Sequence, residues 1–197
     1  MTRLELMESI CKDFPKGKGA EIGTFTGEFS KQIVEVWGGT LYMIDVWRPL
    51  GDEYIDASNH ANNPECYSKT IENITGYEDR AIMIRASSEI ASEIFSDQSL
   101  DFVYIDANHA YDSVVQDIEL WYPKVKKGGY LCGHDYLSLD WYNDPNFCAN
   151  GKDKHIFSGL HYHGIFGVNP AVDEFCKVYE YELTITEEWF GTWMIKK

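Results

Sequence analysis

The 197-residue sequence lacks the marks of several protein classes. It has no Cys-x-x-Cys pair, and its five cysteines stand singly at 11, 66, 132, 148 and 176. An odd, unpaired set argues against a zinc knuckle or a disulfide framework and points to a reducing compartment. Basic residues are scarce, with 17 Lys and Arg against 32 Asp and Glu and a formal net charge of -15. A phosphate backbone or an anionic membrane would repel such a surface, so neither nucleic acid nor membrane is expected as a partner. Acidity also serves plain solubility, so charge excludes partners without naming one. No apolar run approaches the length of a membrane span. The N-terminal stretch MTRLELMESICKDF has acids where a signal peptide would have an unbroken apolar core. Repeats and low-complexity segments are missing too. The expectation is one cytoplasmic domain over residues 1–197.

What is present reads as an ordinary globular core. Hydrophobic residues make up 44% and charged residues 25%, and this length buries a core without disulfide or metal. Leu4, Met7 and Cys11 are spaced as one helix face. Ala20-Glu21-Ile22-Gly23 reads as a buried strand entering a turn. A helix follows, with Phe29, Ile33, Val36 and Trp37 inward, and Gly38-Gly39 stops it. Further strands are expected at Leu41–Asp45, Ala81–Ile84, Asp101–Asp106 and Tyr130–Cys132. Helices are expected over 66–75, over Ser88–Phe95 and around Val114, Ile118 and Trp121, with a loop over 48–65. Strands that stay apolar without alternation are buried on both faces, which means a parallel sheet covered by helices. In the tail, Asn169 and Pro170 read as the cap and first position of a last helix. The runs Tyr181–Thr186 and Thr192–Ile195 then read as a hairpin at a sheet edge. Residues 137–168 form an irregular insert crowded with aromatic and His residues, which argues against disorder.

Four motifs carry chemistry, all at strand ends, where open α/β sheets bind ligands. The first is Glu21-Ile22-Gly23-Thr24-Phe25-Thr26-Gly27, a turn opening a helix. Its spacing is neither the G-x-G-x-x-G of dinucleotide enzymes nor a Walker loop. The plainer alternative is a glycine-rich turn without a ligand. The second is Asp45, 22 residues after Gly23, near the roughly 20-residue offset at which an acid takes ribose hydroxyls; a helix cap or surface acid is the alternative. The third is Asp106-Ala107-Asn108-His109, a carboxylate ending an apolar strand with a histidine suited to accept a hydroxyl proton. The fourth is His134-Asp135-Tyr136. Asp106 and Asp135 can converge on one metal ion, and each histidine has the alternative of a merely structural hydrogen bond.

The runs Ile105–Tyr111 and Gly128–Tyr136, with Glu21–Ser30, resemble the class I S-adenosylmethionine-dependent methyltransferases. The nearest branch is the small-molecule O-methyltransferases related to the macrolide-sugar enzymes and, more distantly, catechol O-methyltransferase. The resemblance spans about residues 18–136 and returns in the last helix and hairpin. It implies a Rossmann-like three-layer α/β sandwich, with a mostly parallel seven-stranded sheet and an antiparallel C-terminal hairpin. It further implies that Glu21, Gly23 and Gly27 line the methionine end of S-adenosylmethionine, that Thr24 also binds the cofactor, that Asp45 holds the ribose, and that Ala86 and Ser87 lie by the adenine. Asp106 would face the cofactor and ligate a divalent ion, His109 would be the general base, and Asp135 would be a second metal ligand.

One departure concerns the metal. Metal-dependent relatives commonly carry two consecutive acid or amide ligands where this chain has His134-Asp135. Magnesium prefers oxygen, whereas imidazole suits transition metals. Three alternatives stay open: His134 stands behind the ligands, the ion is a divalent metal other than magnesium, or no metal binds. The expected reaction is in-line methyl transfer to a hydroxyl of a small sugar or phenol-like molecule. Tyr136, His161 and His163 would stand on the substrate side, with Trp141, Tyr142, His155 and Tyr162 completing a wall. Alternatively the insert packs a homo-oligomer interface. A metal-centred hydrolase or oxygenase using Asp106, His109, His134 and Asp135 is the competing reading.

Overall fold

The structure, a computed structural model, describes residues 1–48, 63–137, 167–188 and 190–197. Helix α1 (Arg3–Asp13) leads into β1 (Lys18–Ile22), α2 (Glu28–Val36), β2 (Thr40–Asp45), α3 (Asn63–Asn73) and β3 (Ala81–Arg85). Then come α4 (Ser88–Ser92), β4 (Leu100–Ile105), α5 (Tyr111–Trp121), a 3-10 turn, β5 (Val125–Leu137), α6 (Val168–Tyr179), β6 (Thr184–Ile185) and β7 (Phe190–Lys196). The strands form one sheet in the order β3-β2-β1-β4-β5-β7-β6. The first five are parallel, and β7 and β6 add antiparallel. This is the Rossmann-like arrangement with an antiparallel C-terminal hairpin. Among the described residues no helix is long and apolar enough to cross a membrane.

β4 shows why the sheet is covered on both sides, since all six of its residues are buried. Phe102 and Tyr104 join the core under α1 and α2 with Met7, Phe29, Ile33 and Trp37. Val103 and Ile105, pointing the other way, join Val114, Ile118 and Trp121 of α5 and Val172 of α6. The period of two in a strand sends successive side chains to opposite faces. Burying each of these large side chains stabilises the fold by roughly 1.5–3 kcal/mol. At the N-terminus, Thr2 and Glu5 form a reciprocal cap: the Glu5 N–H donates to Thr2 Oγ1 at 3.3 Å, and the Thr2 N–H to Glu5 Oε2 at 2.8 Å.

Several boundaries and faces differ from expectation. α1 buries Leu6, Met7, Ile10 and Cys11, while Leu4 is only partly covered. α2 buries Val34, and Val36 is 46% exposed, because positions 29, 30, 33 and 34 share a helix face and 36 does not. β5 is thirteen residues long, because its polar ends are held by pairing with β4 and β7 rather than by apolar character. Asn169 does not cap α6; Gly167 does. The Asn169 amide instead clamps the Leu137 backbone, accepting its N–H at 2.8 Å and donating to its carbonyl at 2.6 Å. A buried amide that satisfies two backbone groups outweighs its own capping preference. Cys11, Cys66, Cys132 and Cys176 are free and buried. The insert residues Trp141, Tyr142, His155, His161, Tyr162 and His163, and Cys148, lie outside the described residues.

Candidate functional site

Strand register assembles the site. Ile22 of β1 pairs with Ile44 of β2 and Ile105 of β4, and Ile105 pairs with Gly133 of β5. The residues just past these positions, Gly23, Asp45, Asp106 and His134, therefore emerge side by side at one edge of the sheet. Gly23, Asp45 and Asp106 open on a cavity of about 890 Å³, a volume ordinary for a small-molecule site. Glu21, Gly23, Thr24, Asp45, Ala86, Ser87, Asp106 and His109 all line it. Gly27 is not among the lining residues; it caps α2, and a Cβ there would lie 3.0 Å from the Thr70 side chain.

The turn after β1 is held rigidly. Gly23 has φ +91°, and a Cβ on it would fall 2.0 Å from the Asp106 carbonyl oxygen. Only glycine allows that backbone contact. Phe25 also sits in the left-handed region, at φ 55°, with its side chain half exposed. Its N–H donates to Asp45 Oδ2 at 2.8 Å, and its carbonyl accepts from Trp47 Nε1 at 2.8 Å and Thr70 Oγ1 at 3.0 Å. Asn73 Nδ2 donates to the Thr26 carbonyl at 3.0 Å. The other Asp45 oxygen accepts the Trp47 N–H at 2.8 Å. Burial raises the Asp45 acid, and these backbone N–H groups oppose the rise. Each oxygen has a second lone pair, so Asp45 can brace the turn and still accept from a ligand hydroxyl.

Glu21 is 2% exposed at the floor of the cavity and accepts the Ser30 hydroxyl proton. Burial pushes its acid up to about 8, with the Ser30 hydrogen bond and the Arg3 charge opposing. Arg3 reaches in from α1. Its guanidinium carbon lies 3.4 Å from the Phe29 ring centroid, and Nη1 lies 3.6 Å from Asp106 Oδ2.

The acid–histidine cluster sits where β4 and β5 end. Register between β5 and β7 shifts between Gly133 and Tyr136, and Asp135 takes φ 62°. Such a bulge re-aims a side chain, and here Asp135 faces Asp106 and His109. His109 Nε2 lies 2.7 Å from Asp135 Oδ2 and 3.6 Å from Asp106 Oδ1. His134 Nδ1 lies 3.1 Å from Asp135 Oδ1 and 4.0 Å from Asp106 Oδ2. Burial would raise the Asp135 acid, but hydrogen bonds and charge from both histidines hold it well below the usual carboxylate range. One ligand atom each from Asp106, His134 and Asp135 lies within 4.8 Å of the others. That set fits a divalent cation, and its imidazole favours a transition metal over magnesium. Tyr136 is drawn to α6, where its hydroxyl donates to Asp173 at 2.7 Å. His161 and His163 lie outside the described residues.

Sequence reasoning missed five residues. Arg3 carries no local signal, since only the packing of α1 on Phe29 brings it to Asp106. Trp47, Thr70 and Asn73 act on a turn distant in sequence. Asp117 did leave a trace, an acid placed next to Ile118 on the buried face of α5, beside Ser88.

A Rossmann-like sheet that brings a glycine turn after β1, an acid at the end of β2 and an acid–histidine cluster at the ends of β4 and β5 to one edge defines an α/β protein with a candidate ligand site there. The chain belongs to the methyltransferase-domain family, which it matches over residues 20–136. Solved structures are similar over nearly its whole length. A Staphylococcus aureus protein named as a caffeoyl-CoA O-methyltransferase has a TM-score of 0.68 at 17% identity, over 98% of this chain and 82% of that one. An O-methyltransferase family protein from Burkholderia thailandensis has 0.67 at 12% identity, over 98% and 55%. The S-adenosylhomocysteine-bound methyltransferase of Podospora anserina has 0.65 at 15% identity, over 98% and 77%. At these identities the likeness is one of fold. An uncharacterized protein of Acanthamoeba polyphaga mimivirus is 40% identical over 42 residues, 21% of this chain and 19% of that protein. This chain thus matches about a fifth of the length of that relative.

Proposed function

We propose that this chain is an S-adenosylmethionine-dependent methyltransferase acting on a hydroxyl of a small molecule, of sugar or phenol type, with a divalent cation assisting. One observation carries the reading: a single cavity joins Glu21, Gly23, Asp45, Ala86 and Ser87 to Asp106 and His109. The first five suit the amino-acid, ribose and base parts of the cofactor, and the last two face the place of reaction. Bound there, the cofactor would supply an electrophilic sulfonium methyl.

The chain's own groups would do the rest. The rigid turn and Asp45 would hold the nucleoside, and holding two reactants in line is worth roughly 7–11 kcal/mol of the barrier. His109 would take the hydroxyl proton as transfer proceeds. Asp135, 2.7 Å from Nε2, would orient the imidazole and stabilise the imidazolium, as a carboxylate does for a catalytic histidine. Asp106, His134 and Asp135 would hold the divalent ion, which supplies Lewis acidity to the substrate oxygen. The net charge of -15 supports an uncharged small substrate rather than nucleic acid or a membrane surface.

Calorimetric titration with S-adenosylhomocysteine, with magnesium, with manganese and after chelation, tests this. Binding is expected in all three conditions, with methyl transfer to hydroxylated acceptors falling after chelation. Tight metal retention without any affinity for S-adenosylhomocysteine would overturn it in favour of a metal-centred hydrolase or oxygenase.

A further inference from the structure

Arg3 carries a positive charge from the start of α1 into the acid–histidine cluster. Its Nη1 lies 3.6 Å from Asp106 Oδ2, and His134 Nδ1 lies 4.0 Å from the same oxygen. One carboxylate oxygen thus faces both a guanidinium and the imidazole nitrogen with which it could hold a divalent ion. Asp135 is engaged differently, by His109 Nε2 at 2.7 Å and His134 Nδ1 at 3.1 Å. Several contacts hold Arg3 in place. Its guanidinium carbon lies 3.4 Å from the centroid of the buried Phe29 ring and 5.6 Å from that of Tyr104. Its backbone N–H donates to Glu188 Oε2 at 2.8 Å, and the Thr186 hydroxyl donates to the same oxygen at 3.1 Å. The Met1 ammonium lies 3.6 Å from Glu187 Oε2. The start of α1 is therefore tied to the turn between β6 and β7, and the Arg3 side chain is only 22% exposed.

We infer that Arg3 competes with the divalent ion for Asp106 and keeps that ion weakly held and exchangeable. The inference rests on the metal-assisted reading and deepens it. Two positive charges a few ångströms apart repel strongly among partly buried side chains, and an ion of charge two doubles the effect. Asp106 and Asp135 supply two negative charges, and Arg3 offsets one of them before any ion arrives. Stacking on Phe29 needs only a long apolar stem, which other side chains also provide. The approach of Nη1 to Asp106 needs the charge, because a guanidinium always carries one and a carboxylate attracts it. A site built to retain its ion permanently would leave both carboxylates to the metal alone.

Calorimetric titration of the whole chain with manganese, at physiological ionic strength, tests this. Arg3→Met keeps a long side chain on Phe29 and removes the charge, so manganese should bind roughly tenfold or more tightly than it does to the native protein. A residue that only packed α1 would, when replaced, leave the affinity unaltered or weaken it, so the sign of the change separates the two roles. Lys12→Met removes the same charge from an exposed position on the last turn of α1, roughly 14 Å along the helix. It should leave the dissociation constant within about twofold, since salt screens that distance. Thermal denaturation reports whether the variants fold. If Arg3→Met does not, Arg3→Gln takes its place with the same expectation. Unchanged or weaker manganese binding in the folded Arg3 variant overturns the inference, and so does equal tightening in Lys12→Met. Failure of both the native protein and the Arg3 variant to bind manganese, with S-adenosylhomocysteine still bound, removes the metal-assisted reading and this inference with it.

Discussion

Glu21→Gln is expected to make the unliganded protein more stable and its cofactor binding weaker. Glu21 is 2% exposed, and burial pushes its acid from 4.5 to about 8. Below pH 4.5 the group is neutral in both folded and unfolded chains and has no effect. As pH rises from 4.5 toward 8 the unfolded chain loses the proton and the folded chain keeps it, so stability falls; the loss is complete above pH 8. At pH 7 it amounts to about 3 kcal/mol, and at its full extent to about 5 kcal/mol. Glutamine still accepts the Ser30 hydroxyl but never ionises. It should raise the melting temperature at pH 7 by roughly 6–12 °C, since 1 kcal/mol is worth about 2–4 °C at this chain length. Denaturation of both proteins at pH 4, 6 and 8 should show a gap that is absent at pH 4 and widest at pH 8. The same substitution removes the carboxyl that a cationic ligand group would ionise on binding, so S-adenosylhomocysteine should bind less tightly. Equal stability of the two proteins at pH 8, or a less stable variant there, would refute the reasoning.

Three further substitutions probe other parts of the site. His109→Ala should lower kcat by roughly 10²–10⁴-fold with cofactor affinity kept; unchanged turnover would remove His109 as the base. Asp45→Ala should weaken S-adenosylhomocysteine binding by roughly tenfold or more, because a charge-assisted acceptor and the brace on Phe25 are both lost; an unaltered Kd would contradict the ribose assignment. Gly23→Ala would place a methyl 2.0 Å from the Asp106 carbonyl at φ +91°, so a destabilisation of at least about 2 kcal/mol should appear in urea unfolding; a neutral effect would mean that the turn is not held as described.

The parallel sheet was legible in local pattern. Apolar runs such as Leu100–Ile105, most of them closed by a glycine or an acid and followed by helical spacing, specify strand, turn and helix from neighbours in the chain alone. The glycine turn after β1 and the acids at 45 and 106 were readable for the same reason, since turn chemistry and the exposure of a strand's last residue are local properties. The final hairpin was legible in its two β-prone runs.

Other features were decided only by the packed molecule. Asp106 meets His134 because Ile105 and Gly133 share a register, and strand order is a property of the assembled sheet. Asp135 turns inward because β7 pairs across a bulge. Arg3 enters the site from α1 through its stacking on Phe29. Asn169 gave up its capping role to the end of β5. Periodicity and turn propensity are written along the chain, so they survive without a fold. A contact between residues far apart in sequence gains its energy only once the intervening strands have chosen their neighbours, and no stretch of this sequence carries that choice alone.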